Sequence, residues 1–388
     1  MDNSTPKIRL DSIDFLRGLV MIIMALDHVR DYFSNATFDP VDMAHTDFYY
    51  FFTRFITHFC APVFVFLAGT GAFLSSKRQR PKELSRFLFT RGLWLVFLEL
   101  TVVRFGWFFN VSYTNSVGQV IWAIGWAMVA LSGLMWLPQR IIAVIGISII
   151  LFHNCLDGIH AQDFGVMGWM WTILHEPGAV QITSTHSMFY LYPLLPWIGV
   201  MASGYAFGAL YSMEQQRRKS ILLRIGVGMI SAFFILRGIN LYGDLVPWSV
   251  QQDQLHSVLS FFNVTKYPPS LLYLLITLGP SMLVLSALDG KQFALSKPVI
   301  IFGRVPMFYY IAHIYLIHLL AVAVTVIRGM NVGFYTSDAL FSQSVGEYGF
   351  PLIGVYIVWV AVILLLYPIC KWYAGVKQRD TTGWLSYW

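Results

Sequence analysis

The stretch between residues 9 and 31 constrains the fold most strongly, because it has the pattern of an apolar helix and yet carries many ionisable side chains. From residue 14 onward these are Asp14, Arg17, Asp27, His28, Arg30 and Asp31. Each helical residue turns the chain by about 100°, so Arg17 and His28 lie roughly 20° apart on one face. An ionisable group at the centre of a membrane helix costs about 2.5–3.5 kcal/mol on insertion scales. The pattern therefore predicts a membrane helix with a functional polar stripe that faces inward.

The composition supports a membrane protein. The chain of 388 residues is 57% hydrophobic and 12% charged, whereas soluble domains have about 25% charged residues. Its 13 Trp, 20 Tyr and 31 Phe are consistent with aromatic belts at the membrane interfaces. The net charge of +6 comes with basic clusters that lie between apolar runs, which argues against a nucleic-acid partner and for contact with a lipid bilayer.

The cysteines and the N-terminal segment place few further constraints on the fold. Cys60, Cys155 and Cys370 are widely spaced, which excludes a disulfide framework and a zinc pattern. The first apolar segment contains Arg17 and Asp27 and has no small-residue cleavage site, so we expect it to stay in the mature protein.

Apolar runs of spanning length predict an all-α, polytopic membrane protein with about ten transmembrane helices in one domain, residues 1–388. The runs lie at 15–33, 48–74, 87–109, 118–137, 141–156, 187–211, 221–241, 269–288, 299–327 and 350–370. Lys and Arg concentrate in alternate loops, so the positive-inside rule places both termini in the cytoplasm. We expect the protein to lie in the inner (cytoplasmic) membrane, with oligomeric state undetermined.

The loops on the opposite side are longer and aromatic. They cover residues 34–47, 157–186, 242–268 and 328–349. Loops of this length in a compact protein are usually functional or disordered, and the aromatic content favours ordered loops over an outer cavity. The loop at 157–186 is expected to contain a short interfacial helix.

Several spans place ionisable groups at one depth in the outer half of the bilayer. His28 is the principal candidate, with Asp27 or Asp31 to orient it. Helices two and nine add further candidates at a similar level, which are Arg54, His58, Tyr310 and His313. Two simpler roles stay open: the histidines are hydrogen-bonded packing residues, and Arg54 forms a clamp with Asp27 or Asp31.

A second set of cations lies near the cytoplasmic boundary. Arg17, Arg91 and Arg304 can all snorkel to lipid phosphates, but Arg17 shares the face of His28. A cation at the mouth and a histidine deep inside suit a long ligand with an anionic head and a reactive tail, such as acyl-coenzyme A (acyl-CoA). The sequence lacks HExxH, GxSxG, Walker and dinucleotide motifs, so it predicts no metal site and no permanently bound cofactor.

The chain resembles the bacterial branch of the family named for heparan-α-glucosaminide N-acetyltransferase. The stretches that carry the resemblance are residues 12–18, 26–31, 53–69, 192–199, 266–270 and 303–313. Lys266 lies in one of them and is expected to bind substrate. The Arg17-to-His28 spacing and the segment 66–74 also resemble the wider group of membrane acyltransferases that O-acylate sugars.

The resemblance to that wider group implies that Arg17 and His28 belong to the acyl-transfer site, with acyl-CoA entering from the cytoplasm and the acceptor from the other side. One difference concerns the histidine. The lysosomal enzyme type has Asn at the position of His28 and its histidine just after the first helix, where this chain has Asn35 and then His45. The family name therefore does not identify the substrate of this protein.

The resulting hypothesis is a membrane acyltransferase that moves an acyl group, acetyl by expectation, from acyl-CoA to an acceptor hydroxyl or amine, expected to be a sugar. His28 acts as general base or carries the acyl group briefly, and Arg54, His58 and His313 line the outer cavity. Two alternatives are a transporter or flippase, in which the same residues form a solute or proton path, and a non-catalytic scaffold. Inverted repeats are common in transporters and we find none here.

Overall fold

The structure is a computed structural model that describes residues 10–291, 296–338 and 343–380. In the first half of the chain the helices are α1 Asp11–Phe33, α2 Phe48–Thr57, α3 Cys60–Ser76, α4 Pro81–Leu98, α5 Arg104–Phe108, α6 Val120–Leu134, α7 Gln139–Phe152 and α8 Gly168–Leu174. In the second half they are α9 Leu194–Phe207, α10 Gln215–Ile239, α11 Gln254–Phe262, α12 Leu271–Leu288, α13 Ser296–Arg304, α14 Pro306–Ile327 and α15 Leu352–Arg379. A π-helical turn at Glu99–Val103 joins α4 to α5, and short 3₁₀ turns occupy His153–Leu156, Ala161–Met167, Gly208–Ser212, Val332–Phe334 and Gly346–Tyr348.

Helix α1 lies at the centre of the helical bundle. It packs against α2, α3, α12, α13, α14 and α15. The closest approach is to α13, where a Cβ added at Gly18 would collide with the backbone of Val299 and one added at Gly303 would collide with the backbone of Asp14. Glycine at both positions lets the two backbones touch, as small residues do in membrane helix pairs. The polar stripe of α1 is thereby held inside the protein.

Two of the predicted spans are broken helices. The span at 48–74 consists of α2 and α3, and the carbonyl of His58 at the break accepts a hydrogen bond from the Tyr273 hydroxyl at 2.8 Å. Pro62 has no N–H with which to bond that carbonyl. The span at 299–327 consists of α13 and α14, which meet at Val305 before Pro306. The residue before a proline is disfavoured in the helical region, which explains the second break.

The all-α prediction misses a small sheet. Strands β1 Asn115–Gly118, β2 Gly178–Gln181 and β3 Ser187–Tyr190 form three strands in the order β1-β3-β2. Strand β3 pairs parallel with β1 and antiparallel with β2. The predicted span at 187–211 therefore begins as a strand, and α9 starts only after Pro193. The expected short helix in the loop 157–186 is confirmed as α8.

The chain is a multi-pass membrane protein by its apolar helices. Among the described residues, seven helical segments are long and apolar enough to cross a membrane, when α2 is counted with α3 and α7 and α9 with the 3₁₀ turns that follow them. They are Phe48–Ser76, Gln139–Leu156, Leu194–Ser212, Gln215–Ile239, Leu271–Leu288, Pro306–Ile327 and Leu352–Arg379. Large apolar side chains on the outside of α15, such as Ile353 and Leu364, are about 70% exposed (71% and 68%), as expected for a surface that faces lipid. The count of ten spans and the cytoplasmic placement of both termini stay predictions.

Candidate active site

His28 near the end of α1 pairs with His313 of α14. His28 Nδ1 lies 2.6 Å from His313 Nε2, and His313 Nδ1 lies 2.9 Å from the carbonyl oxygen of Tyr309. A carbonyl only accepts hydrogen bonds, so His313 carries its proton on Nδ1. With both rings neutral, His313 Nε2 then accepts and His28 Nδ1 donates. This assignment follows from the hydrogen-bond pattern and leaves the lone pair on His28 Nε2.

Aromatic side chains hold the His28 ring from two sides. The ring stacks on His313 with centroids 4.8 Å apart. Trp107 of α5 meets it edge-on at 4.9 Å, and Tyr310 does so at 6.3 Å. The ring of His28 is therefore fixed in position by its neighbours, while the residue keeps partial exposure to the cavity described below.

Asp27 is the centre of an ionic cluster that joins α1 to α2. Arg54 Nη1 donates to both carboxylate oxygens of Asp27, at 2.8 and 2.7 Å, and Arg30 Nη2 lies 2.7 Å from Oδ1. Lys266 Nζ adds a third cation at 4.0 Å. The clamp between Asp27 and Arg54, left open by the sequence, is thus present.

The two aspartates thought to orient His28 have other partners. Asp27 binds the cations of its cluster, and Asp31 is exposed and accepts from Arg30 Nη2 at 2.8 Å. The hydrogen bond on His28 Nδ1 goes to His313. Orientation of His28 therefore falls to His313, since an imidazole nitrogen accommodates one such partner.

A cavity of about 620 Å³ opens beside His28, and we call it the His28 cavity. Its lining includes residues of α1, of the following loop 36–40 and of Gln343–Val345. The polar and charged side chains of its wall include Asp27, His28, Arg30, Asp31, Arg54, Gln119, Tyr192, Lys266 and Tyr267. It is large enough for a small ligand, since ligand pockets commonly measure about 300–1,000 Å³. Cations and carboxylates both reach it, so its charge is mixed.

A second cavity of about 330 Å³ lies toward the Arg17 end of α1, and we call it the Arg17 cavity. The charged side chains that line it, among the described residues, are all cations: Arg17, Arg91, Arg304 and Lys377. Arg17 is held by Asp14 and by the carbonyl of Gly303, each at 3.2 Å. The rest of the lining is mostly apolar and reaches Tyr310. The cavity therefore joins an electropositive region to an apolar interior.

The two cavities come close together near His28. Val120 lines the Arg17 cavity, whereas its neighbour Gln119 lines the His28 cavity. Tyr310 lines the Arg17 cavity and also contacts the His28 ring. The start of α6 at this junction is fixed by the buried carboxylate of Glu99, which accepts a hydrogen bond from the backbone N–H of Trp122 at 3.2 Å. An acidic side chain suits this position because the first N–H groups of a helix have no partners within the helix.

Asp338 fastens the segment after α14 to the strand that precedes α6. Its carboxylate accepts hydrogen bonds from Asn110, Thr114 and Asn115 and pairs with Arg104 at 3.1 Å. Burial opposes ionisation, but these hydrogen bonds and the arginine outweigh it and lower the pKa of Asp338. The anchored carboxylate thereby joins the end of the segment that follows α14 to the chain between α5 and α6.

The predicted site residues separate into four places. His28, Asp27, Asp31, Arg54 and Lys266 line the His28 cavity, while Arg17 and Tyr310 line the Arg17 cavity. His313 is fully buried behind His28. His58 lines neither of these two cavities among the described residues; it is buried against Tyr273, with ring centroids 5.5 Å apart.

Sequence reasoning missed Trp107, Gln119 and Glu99. Trp107 and Gln119 are uncharged and sit where apolar runs begin or end, so periodicity gave no reason to choose them. Glu99 had a usable signal, because a carboxylate inside an apolar run predicts a function in the same way as His28 does. These residues support the wall and the junction of the two cavities.

Comparison with known proteins gives a family match that covers most of the site. The family model described as heparan-alpha-glucosaminide N-acetyltransferase, catalytic, matches residues 9–239. The match includes Arg17, Asp27, His28, Arg54 and His58, whereas Lys266, Tyr310 and His313 lie beyond it. A search of curated proteins finds no significant match. The chain belongs to the family of the heparan-alpha-glucosaminide N-acetyltransferase catalytic domain, a family of membrane acyltransferases.

Proposed function

We propose that the protein transfers an acetyl group from acetyl-CoA in the Arg17 cavity to a hydroxyl or amine of an acceptor in the His28 cavity. His28 Nε2 takes the proton from the acceptor as its oxygen or nitrogen attacks the thioester carbonyl. The C–S bond then breaks, and the departing CoA thiolate takes the proton back from His28. Acyl-CoA is a co-substrate and no bound cofactor takes part.

The position of His28 in the wall of the His28 cavity, in contact with Tyr310 of the Arg17 cavity, is the observation that carries this proposal. Its Nδ1 is engaged by His313 at 2.6 Å, which leaves Nε2 for the chemistry. The donor's negatively charged phosphates suit the cations of the Arg17 cavity. The apolar lining up to Tyr310 suits the pantetheine arm, which would bring the thioester to the junction. Direct acyl transfer needs such an approach, because the reacting atoms must come within about 3–3.5 Å.

The His28 cavity has features that suit a carbohydrate acceptor. Tyr192 and Tyr267 line it with ring centroids 5.1 Å apart, and aromatic faces pack well against the apolar faces of sugars. Arg30 Nη1 is buried and has no hydrogen-bond partner in the described part of the chain. Together with Lys266 it can bind the acceptor or polarise the thioester carbonyl.

The topology proposed with this function has ten spans, with the Arg17 cavity open to the cytoplasm and the His28 cavity open to the other side of the inner membrane. Donor and acceptor would then approach from opposite compartments. The support is the distribution of Lys and Arg in the loops, which follows the positive-inside rule.

The experiment uses purified protein in nanodiscs with acetyl-CoA labelled in the acetyl group, in the presence and absence of a mixture of sugars and amines. We expect release of CoA thiol with labelled acceptor in the wild type. A folded protein that neither binds acetyl-CoA nor releases thiol would contradict the proposal. Such a result would favour the alternative of a transporter, which can be tested with the same purified protein after its reconstitution into vesicles.

Replacing His313 tests the proposed tautomer of His28. We expect His313→Leu to lower kcat about 10- to 100-fold, because it removes a buried hydrogen bond worth about 1.5–3 kcal/mol when charge develops on the ring. His313→Gln offers an amide oxygen that can accept from His28 Nδ1 and should retain more activity than the leucine variant. Steady-state kinetics of the two variants provide the measurement. Equal losses of kcat in both variants would mean that a hydrogen bond accepted from His28 Nδ1 does not contribute to catalysis.

Replacing Arg17 tests the donor cavity. We expect Arg17→Gln to raise the KM for acetyl-CoA about tenfold while changing kcat less, because one charge-assisted contact to phosphate is lost. The effect should shrink with acetyl-phosphopantetheine, a donor without the nucleotide part of CoA. Arg140→Gln is the matched control, since Arg140 is exposed at the start of α7 and does not line the cavity. An unchanged KM in Arg17→Gln would place the donor elsewhere.

A further inference from the structure

Three side chains with metal-binding atoms meet away from the proposed active site. They are His153 at the end of α7, Asp157 in the following turn and His175 after α8. One ligand atom from each lies within 4.8 Å of the other two. His175 Nε2 and Asp157 Oδ1 are already 3.1 Å apart, close to the separation of two ligands on one zinc ion.

The histidines of this group are buried with unused nitrogen atoms. His153 and His175 are each 2% exposed. Neither ring nitrogen of His153, nor Nδ1 of His175, has a hydrogen-bond partner in the described part of the chain. A buried polar nitrogen left without a partner costs about 1–3 kcal/mol, and coordination of a metal by one nitrogen of His153 removes that cost for the coordinating atom.

The carboxylate of the group is oriented by its surroundings. Asn154 Nδ2 donates to Asp157 Oδ2 at 2.8 Å, and the oxygen of the same amide accepts from the backbone N–H of Leu271 at 2.9 Å. Oδ1 is thereby turned toward His175. Hydrogen bonds of this kind to a ligating carboxylate are typical of metal sites.

We propose that His153, Asp157 and His175 bind a divalent transition metal, Zn²⁺ in the first place. Two imidazoles and one carboxylate are a donor set that zinc accepts, with water completing a tetrahedron. The spacing of the three residues matches no motif, so the sequence alone predicts no metal site. Only the return of the chain through α8 brings His175 to His153.

The metal would fasten the segment between α7 and α9 to the helical bundle. This segment carries β2 and β3, and Tyr192, which follows β3, lines the His28 cavity. The site is therefore structural and acts at a distance from His28. Its existence does not depend on the proposed acyl transfer.

The test measures metal content and affinity of the full-length protein, purified through a tag without histidine. We expect Zn²⁺ in stoichiometric amount by mass spectrometry of the metal, and a visible d–d spectrum of tetrahedral type after exchange for Co²⁺. Zn²⁺ should also raise the Tm of the chelator-treated protein. His153→Gln, Asp157→Asn and His175→Gln should each lose these signals.

Two further variants keep the test decisive if one of the ligand variants folds poorly. Asn154→Ala should weaken Zn²⁺ binding about 10- to 100-fold, as loss of an outer partner of a ligand does elsewhere. His160→Gln should bind as the wild type does, because His160 lies in the same segment but is half exposed (50%) and paired with Glu176. A wild type without metal and without a Zn²⁺-dependent Tm, or equal loss in His160→Gln and His175→Gln, would overturn the proposal.

Discussion

Replacing His28 with alanine is expected to lower kcat/KM for acetyl transfer about 10²- to 10⁴-fold, the range that a positioned general base contributes. The variant removes a ring that lines the His28 cavity and contacts Tyr310 of the Arg17 cavity. Binding of acetyl-CoA should persist, because the cations of the Arg17 cavity are untouched. Thiol release and donor binding, measured on the same nanodisc samples, separate the two effects.

Two controls define the role of His28 in this experiment. Imidazole added to His28→Ala should restore part of the activity, since the deleted ring leaves space for it beside His313. His45→Ala should retain wild-type activity, because the His45 side chain is 66% exposed and pairs with Asp42. If His45→Ala lost activity while His28→Ala retained it, the general base would lie in the loop after α1, and the proposed mechanism would be refuted.

Replacing Asp27 with asparagine is expected to destabilise the fold by about 3–5 kcal/mol, the usual cost of breaking a buried ion pair on one side. The change leaves Arg30, Arg54 and Lys266 close together without the carboxylate that all three approach. Unfolding of the detergent-solubilised protein by SDS titration measures the free energy of unfolding.

Asp31→Asn is the matched control for the Asp27 variant. Asp31 contacts the same Arg30, but its side chain is 39% exposed, so the pair should contribute about 0–1 kcal/mol. A variant with both Asp27→Asn and Arg54→Gln should lose less stability than the sum of the single changes, because the two residues are partners. Equal effects of Asp27→Asn and Asp31→Asn would show that the cluster around Asp27 has no structural role.

The zinc proposal and the acyl-transfer proposal can fail separately. His175→Gln changes no residue that lines either cavity, so thiol release should continue while metal binding is lost. His28→Ala should retain Zn²⁺, because His28 does not belong to the zinc group. The two variants therefore assign each observation to one site.

Some properties follow from residue order alone, because they depend on periodicity and composition. The apolar runs predicted a multi-pass helical membrane protein, and the positions of Arg17 and His28 in the first run put both on the inward face of α1. The stretches shared with the family predicted membership, which the family match confirms. Pro62 and Pro306 accompany helix breaks because proline removes a backbone donor, but Pro280 and Pro368 lie inside continuous helices, so proline positions alone do not predict the breaks.

Other properties were decided by tertiary structure, because periodicity tells which face of a helix is buried and not which neighbour covers it. The partner of His28 is His313, 285 residues away, and not the adjacent Asp27, whose carboxylate is drawn to three cations from α1, α2 and the loop before α12. Arg17 and His28 share a face of α1 but line separate cavities, and Tyr310 lines the first and contacts the His28 ring. Residues distant in sequence supply these contacts, so only the folded chain brings them together.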